Sequence, residues 1–112
     1  MGFFETLWLL LIVHALADYP LQGLFLAETK NPWGPPINGE RIWVWTLPAH
    51  GLVHAGGVYL VTRSLWLSMA EFVTHVLLDA GRCRGLYGFH VDQTGHVAVK
   101  VAIALAVVWG LG

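Results

Sequence analysis

The sequence predicts an all-α fold: a polytopic membrane protein whose single domain, residues 1–112, is a bundle of four transmembrane helices. Apolar residues make up 56% of the chain and charged residues 12%, against about 25% in average soluble proteins. Most of the six tryptophans lie near the ends of apolar stretches, as in the aromatic belts of membrane interfaces. Such a chain is typical of the bilayer rather than of water.

The first predicted span covers about residues 4–27. Pro20 lacks a backbone donor and crowds the preceding turn, so we expect a kink or break just after Asp18. Residues 28–41 hold three of the five prolines and are predicted to form a loop. Lys30, at the start of this segment, is interpreted as a solvated helix end or as a substrate contact.

Three further spans follow, at about residues 42–62, 64–80 and 92–111. Glycines and alanines are concentrated in the second span, and small residues let neighbouring helices in a membrane approach closely. A short connection, residues 81–91, joins the third span to the fourth. Four antiparallel helices are the simplest arrangement of these segments.

Four pairs of ionisable side chains, each spaced by four residues, lie in or beside the apolar spans. Residues four apart share one face of a helix, with Cβ atoms about 5–6 Å apart, so each pair can present two side chains to one ion. Because successive helices alternate in direction, all four pairs fall in the half of the membrane that faces loops 28–41 and 81–91. We therefore predict one shared metal site. Its predicted ligands are His14, Asp18, His50, His54, His75, Asp79, Asp92 and His96.

The ligand types indicate the metal. Imidazoles and carboxylates without thiolates favour divalent zinc first, with manganese or iron as alternatives. Eight ligands exceed what one tetrahedral ion uses, so two or three ions are predicted. A cluster with open coordination positions can activate water and hold attacking and leaving oxygens, which is a catalytic arrangement. A bis-histidine haem site is disfavoured because haem has no use for three aspartates.

Two further ionisable residues continue the same helix faces. Glu71 precedes His75 by four residues and is predicted to be a ligand or, with Asp92, a catalytic residue that accepts a proton. Lys100 follows His96 by four residues, where it could neutralise a phosphate or pair with Glu71. Ionisable groups within a membrane usually face the bundle interior or a cavity, which favours functional roles.

Of the other polar residues near the four pairs, two are predicted to support the metal ligands and two are predicted to have no role in the site. Gln22 and Gln93 are predicted to orient the ligands by hydrogen bonding. His90 lies outside the four-residue spacing and is predicted to be a loop residue. Cys83, between two arginines, is interpreted as a loop cysteine.

The charged residues exclude some functions and predict the orientation of the protein in the membrane. The net charge of −1 offers no basic patch for nucleic acid, and a single cysteine cannot form an internal disulfide. Membrane lipid is the predicted partner, and homo-oligomer formation is left open. Lys and Arg concentrate in the two loops that face the site, which predicts that the site opens to the cytoplasm.

Several motifs together resemble a known family. The family comprises small polytopic membrane proteins of bacteria and their phages, and is catalogued as a domain of unknown function. This resemblance implies a place in the bacterial inner membrane, with the gene carried by the bacterium or a phage. The resemblance rests on the run His14-Ala-Leu-Ala-Asp18-Tyr-Pro-Leu-Gln22, on Lys30 and His50, and on the elements His75-x-x-x-Asp79 and Asp92-Gln93-x-x-His96.

By motif type alone, the chain is also similar to all-helical zinc phospholipases C, to single-strand-type nucleases and to predicted membrane-bound metal-dependent hydrolases. The phospholipases and nucleases hold a three-zinc cluster with His-x-x-x-Asp and His-x-x-x-Glu pairs, and the predicted membrane-bound hydrolases share this style of motif. Here Asp92-x-x-x-His96 reverses that order. The resemblance implies hydrolytic chemistry without a detailed mechanism.

These observations lead to one predicted function and two alternatives. The predicted function is a membrane-embedded, metal-dependent hydrolase of a phosphoester or lipid headgroup, with its site near the cytoplasmic face. One alternative is a divalent-cation or proton transporter or channel, and the other is a small partner-binding protein with a structural metal. A conduit needs ligands through its full depth, whereas residues 101–111 are apolar, which favours a one-sided site.

Overall fold

The computed structural model describes residues 1–111, so Gly112, the last residue of the predicted domain, lies outside the described residues. No β-strand occurs among residues 1–111, apart from an isolated bridge between Ile37 and Glu40. The predicted all-α fold class is confirmed. The five helices are α1 (Phe3–Asp18), α2 (Gly23–Thr29), α3 (Trp43–Thr62), α4 (Leu65–Arg84) and α5 (Phe89–Val108).

The fifth helix arises because the first apolar stretch is divided. Helix α1 ends at Asp18, and α2 leaves at an angle of 81° to it. Pro20 lies in the turn between them, where its missing N–H and its ring prevent the first helix from continuing. Gly23 begins α2 with a φ of +68°, a conformation that residues with a Cβ adopt only at a cost.

The four long helices form a closed ring. Helix α3 packs against α1 and α4, and α5 packs against the same two helices, while α2 lies against α3. Only two residues separate α3 from α4. The second of them, Ser64, caps α4 by accepting a hydrogen bond from the Leu67 N–H at 3.2 Å. The first, Arg63, has a φ of +56°, which turns the chain between the two helices.

The last two helices are longer than predicted towards the connection between them. Helix α4 continues to Arg84, where Gly85 ends it with a φ of +85°, and α5 begins at Phe89. Two interpretations are therefore wrong: Cys83 belongs to α4 and His90 to α5 rather than to a loop. His90 is exposed.

The bundle exposes large apolar side chains and buries several ionisable ones, which is the reverse of the usual pattern in water-soluble proteins. Phe4 and Trp45 are 81% and 78% exposed, whereas Glu71 and His75 are 0% and Lys100 is 1% exposed. Charged residues are almost never fully buried in soluble proteins unless they are paired. A small buried apolar cluster consists of Leu10, Val58, Leu67, Ile103 and Ala104.

Only part of the bundle has helices that could cross a membrane by length and composition. Within residues 1–111, helix α5 alone is long and apolar enough. The bent pair α1 and α2 would add a second span if it counts as one broken segment. Helix α4 carries Glu71, Asp79 and two arginines, which lower its apolar character.

Gly51 sets the distance between α3 and α4. A Cβ at this position would lie 2.7 Å from Val76 Cγ2 and 3.2 Å from the Phe72 ring. Val is stiff at χ1, so the helices themselves would have to move apart. Gly56, on the same helix, has nothing within 4 Å of an added Cβ.

We expect Gly51→Ala to destabilise the protein by about 1–3 kcal/mol, the usual cost of overpacking. Gly56→Ala is the matched control, and it should be neutral or stabilising by up to about 1 kcal/mol because alanine favours helix. Chemical unfolding of the two purified variants, followed by circular dichroism, measures the difference. Equal stability of the two variants would contradict the close approach at Gly51.

Candidate metal centre

Five imidazoles from four helices meet inside the bundle. Each belongs to one of the pairs spaced by four residues, which places it on the inward face of its helix. The ring centroids of His54 and His75 are 3.7 Å apart, those of His75 and His96 4.4 Å, and those of His50 and His54 4.7 Å. His14 completes the group, with its centroid 5.2 Å from that of His54.

Asp18 supplies the carboxylate at the centre of this group. Its Oδ1 lies 3.2 Å from Nε2 of both His50 and His54. One potential ligand atom from each of Asp18, His50, His54 and His75 lies within 4.8 Å of the other three. Three imidazoles and a carboxylate are donors of the type that zinc uses, so these four residues could hold a metal ion. We call them the central group.

His75 gives an independent reason to place an ion there. Its side chain is 0% exposed, and neither ring nitrogen has a hydrogen-bond partner among the described residues. A buried polar atom without a partner costs about 1–3 kcal/mol. An ion bound to one ring nitrogen would remove part of that cost, so the residues fit a metal.

Three other predicted ligands border the central group. His14 Nε2 lies 3.6 Å from Asp18 Oδ2, and His96 Nε2 lies 3.2 Å from Asp92 Oδ1. The rings of His14 and His96 face each other with centroids 5.5 Å apart. These side chains are buried beside the central group.

Asp79, the eighth predicted ligand, is held by a cation of the protein itself. Its Oδ2 lies 2.8 Å from Lys30 Nζ, and 3.8 and 4.0 Å from Nε2 of His50 and His75. The Lys30 side chain is only 12% exposed. The interpretation of Lys30 as a solvated helix end is therefore wrong, because the bend before α2 turns this residue back towards α4.

Two glutamines, Gln93 and Gln22, hydrogen-bond to residues of the candidate metal centre. Gln93 Nε2 donates to Asp18 Oδ2 at 2.9 Å and to Asp92 Oδ2 at 3.3 Å. Gln93 Oε1 lies 3.3 Å from His14 Nε2 and accepts a hydrogen bond from the Tyr19 hydroxyl at 3.1 Å. An amide that orients ligands makes contacts of this kind.

Gln22 makes a corresponding link at the end of α1. Its Nε2 donates to the Asp18 carbonyl oxygen at 3.3 Å, and its Oε1 accepts a hydrogen bond from Lys30 Nζ. The side-chain amide thus ties the end of α1 to the end of α2. Lys30 is held in position from two sides, by Gln22 and by Asp79.

A polar cavity of about 390 Å³ opens above the central group. The turn after α1, helix α2, the end of α4 and the start of α5 enclose it. Asp18, Asp79 and Asp92 line the cavity together with the cations Lys30 and Arg82. Asp18 belongs both to the cavity wall and to the central group, so this carboxylate connects the cavity to the imidazoles.

Sequence reasoning missed several cavity residues, among them Arg82, Tyr19 and Cys83. Arg82 follows Asp79 by three residues, a spacing that puts both on one helix face and could have identified it. Tyr19 lies directly after Asp18 in the first motif. Cys83 lines the cavity because α4 extends beyond the predicted span, which no local pattern indicated.

Glu71 and Lys100 form a buried ion pair one helical turn beyond His75 and His96. Lys100 Nζ contacts Glu71 Oε1, and neither residue lines the cavity. Of the two roles considered for Lys100, the structure has the pairing with Glu71 rather than a phosphate contact in this cavity. Glu71 is likewise outside the central group.

This pair can be tested by a double-mutant cycle. Lys100→Met leaves the Glu71 carboxylate buried without its partner and should destabilise the protein by about 3–5 kcal/mol. Glu71→Gln with Lys100→Met removes both charges and should recover most of that loss. Unfolding free energies of the single and double variants provide the measurement. Additive losses would mean that the two side chains are not coupled.

Comparison with known proteins places the chain in a family without assigning it an activity. No curated protein and no solved structure matches the chain. The similarity to zinc phospholipases and nucleases is therefore not supported by any match. A protein-family model matches residues 6–111, a range that contains all eight predicted ligands. The chain belongs to DUF3307, a family of proteins of unknown function.

Proposed function

We propose that this protein is a membrane-embedded, metal-dependent hydrolase that cleaves a phosphoester or a related bond in a lipid headgroup. One observation carries the proposal. Three buried imidazoles lie with the Asp18 carboxylate, which also lines a polar cavity that opens at one end of an apolar-surfaced bundle.

The inverted burial supports a membrane location. Large apolar side chains such as Trp66 and Leu60 are exposed around the bundle, and contiguous apolar surface of this kind is unfavourable in water. Hydrocarbon would cover it, while the ionisable residues stay in the interior. We propose that α1, α3, α4 and α5 are the four spans of a polytopic bundle. Three of these helices have 20 residues, about the length that the hydrocarbon core requires.

The cavity would then lie at the level of the lipid headgroups. Lys30, Arg41, Arg82 and Arg84 all lie at this end of the bundle or in its connections, whereas Arg63 lies at the other. An excess of Lys and Arg favours the cytoplasmic side. We infer that the cavity faces the cytoplasm, in the bacterial inner membrane.

The central group would hold the metal, with zinc the best match to its donors and manganese or iron as alternatives. A divalent ion in such a site supplies a Lewis acid and activates water at neutral pH. His14, Asp79, Asp92 and His96 border it, and they are the residues from which further ligands would come.

The chain's own residues supply the other functions. Asp92 lines the cavity and contacts His96, which makes this pair a better proton acceptor than Glu71, because Lys100 already holds Glu71 a full turn away. Arg82 can bind a phosphate through two parallel hydrogen bonds. Gln22 and Gln93 fix the carboxylates and Lys30 around the site.

The interior beyond the site supports hydrolysis over transport. On each of the four long helices, the inward-facing residue one turn further from the cavity is apolar. These residues are Leu10, Val58, Leu67 and Ala104, and all four are buried in one apolar cluster. An ion moving through the bundle would need polar partners at this depth. The apolar layer thus favours a site with a single entrance.

Metal binding and hydrolysis should both depend on His75. We expect the protein purified in detergent to contain zinc or manganese by mass spectrometry, and His75→Ala to lose both metal and hydrolysis. The activity loss should exceed about 100-fold, the upper end for residues that only orient ligands. Hydrolysis is measured with bis(p-nitrophenyl) phosphate and with phosphatidylglycerol in mixed micelles.

His90→Ala is the control, because His90 is exposed on α5 outside the cluster. It should keep the metal content and activity of the unmodified protein. A metal-free protein that still hydrolyses these compounds would exclude the proposed mechanism. A variant that loses the metal without losing its biological effect would indicate a partner-binding protein with a structural metal.

Reconstitution of the protein in liposomes distinguishes a hydrolase from a transporter. In liposomes that contain phosphatidylglycerol, we expect headgroup release detected by mass spectrometry, without zinc entry detected by an enclosed fluorescent indicator. The physical reason is the apolar layer below Glu71 and Lys100. Zinc or proton flux without any lipid cleavage would reverse the assignment in favour of a transporter.

A further inference from the structure

The two carboxylate oxygens of Asp18 face different imidazoles. Oδ1 lies 3.2 Å from Nε2 of both His50 and His54, which belong to the central group. Oδ2 lies 3.6 Å from Nε2 of His14, a residue outside that group. Each oxygen of a carboxylate has its own lone pairs, so one carboxylate can bind an ion through each oxygen. Asp18 is therefore placed to bridge two ions.

A second set of donors lies next to Asp18 Oδ2. Asp92 Oδ1 is 3.2 Å from His96 Nε2, and the ring centroids of His14 and His96 are 5.5 Å apart. Tetrahedral zinc bonds of about 2.0–2.1 Å place two ligand atoms about 3.3 Å apart, and the centroids of two bound imidazoles about 5 Å apart. Both separations therefore fit donors to one ion. We call His14, Asp92 and His96 the second group.

The second group has donors of its own. None of its three residues belongs to the central group, so an ion there would share only Asp18 with the first ion. His14, Asp92 and His96 are 5%, 6% and 1% exposed. Although His96 Nε2 is close, Asp92 Oδ1 accepts no hydrogen bond among the described residues. A buried carboxylate oxygen without a partner is costly, and a cation bound to it would remove that cost.

The charges around the second group also favour a cation. The other buried carboxylates, Asp79 and Glu71, are paired with lysines. Asp18 and Asp92 instead share one amide: Gln93 Nε2 lies 2.9 Å from Asp18 Oδ2 and 3.3 Å from Asp92 Oδ2. Within residues 1–111, neither of these two carboxylates is ion-paired with a lysine or an arginine. Two neighbouring carboxylates and two imidazoles are suitable donors for a divalent ion.

An ion in the second group would be accessible from the polar cavity. Asp18 and Asp92 both line this cavity, as does Gln93, whereas the three imidazoles of the central group do not. The second ion would therefore be bound by two carboxylates of the cavity wall. A phosphate that enters the cavity would meet this ion first.

We propose that the centre holds two ions, one in the central group and one in the second group, bridged by the two oxygens of Asp18. The inference rests on the proposed function, since it assigns the second ion to the phosphate of the substrate. Two ions about 3.5–4 Å apart can hold the attacking and the leaving oxygen of a phosphoester. Asp92 binds through Oδ1, and its Oδ2 stays available to accept a proton.

The number of ions is tested by the zinc content of detergent-purified protein after saturation with zinc chloride and removal of free metal. The unmodified protein should hold about two ions per chain. Asp92→Asn keeps the shape of the side chain but removes its charge, and it should hold about one, as should His96→Ala. His90→Ala, exposed on the same helix, is the matched control and should hold about two.

The bridge is tested by X-ray absorption at the zinc edge of the same samples. The unmodified protein should show a second zinc about 3.5–4 Å from the first, and Asp92→Asn should not. Two ions without a zinc neighbour at this distance would overturn the bridge by Asp18. A helical, monodisperse Asp92→Asn variant that still holds two ions would overturn the assignment of the second group.

The remaining outcomes separate this inference from the proposed function. One ion in an unmodified protein that hydrolyses bis(p-nitrophenyl) phosphate would overturn the inference and leave the hydrolase intact. Two neighbouring ions without hydrolysis would support the inference and exclude the hydrolase, and no ion would overturn both. If neither variant folds, calorimetric zinc titration of the unmodified protein decides: saturation at about two equivalents supports the inference, and saturation at about one contradicts it.

Discussion

The structure depends on compensating the ionisable side chains that the bundle buries. Asp18 is the one at the metal centre, where its carboxylate, 12% exposed, lies among imidazoles. Hydrogen bonds from Gln93 and contacts with His50 and His54 offset the loss of water around it. Neither ring nitrogen of His75 has a hydrogen-bond partner among the described residues, and this is a structural reason to expect a metal ion.

Charges are organised by depth along the bundle. At the cavity, Asp79 pairs with Lys30; one turn below the imidazoles, Glu71 pairs with Lys100; beyond them lies the apolar cluster that contains Leu10 and Val58. Asp79 and Glu71 therefore each have a cationic partner, whereas Asp18 and Asp92 face imidazoles and the Gln93 amide.

Close packing between α3 and α4 brings the imidazoles together. Gly51 permits this approach, and the rings of His54 and His75 stack across the same interface. Small residues on α3 thus have a direct consequence for chemistry, because a wider spacing would separate the ring nitrogens of the central group. The bend at Pro20 has a comparable effect at the other side of the cavity, where it returns Lys30 and Gln22 to the end of α1.

The sequence by itself determined the helical class and the inward faces, because residues four apart share a helix face wherever the helix lies. It therefore identified the imidazoles and carboxylates that gather here, and the break at Pro20. It could not determine which carboxylate meets which imidazole, since that depends on the rotation and spacing of helices distant in the chain. Only the tertiary structure placed Lys30 on Asp79 and Lys100 on Glu71, because the first contact requires the bend before α2 and the second requires α4 to pack against α5.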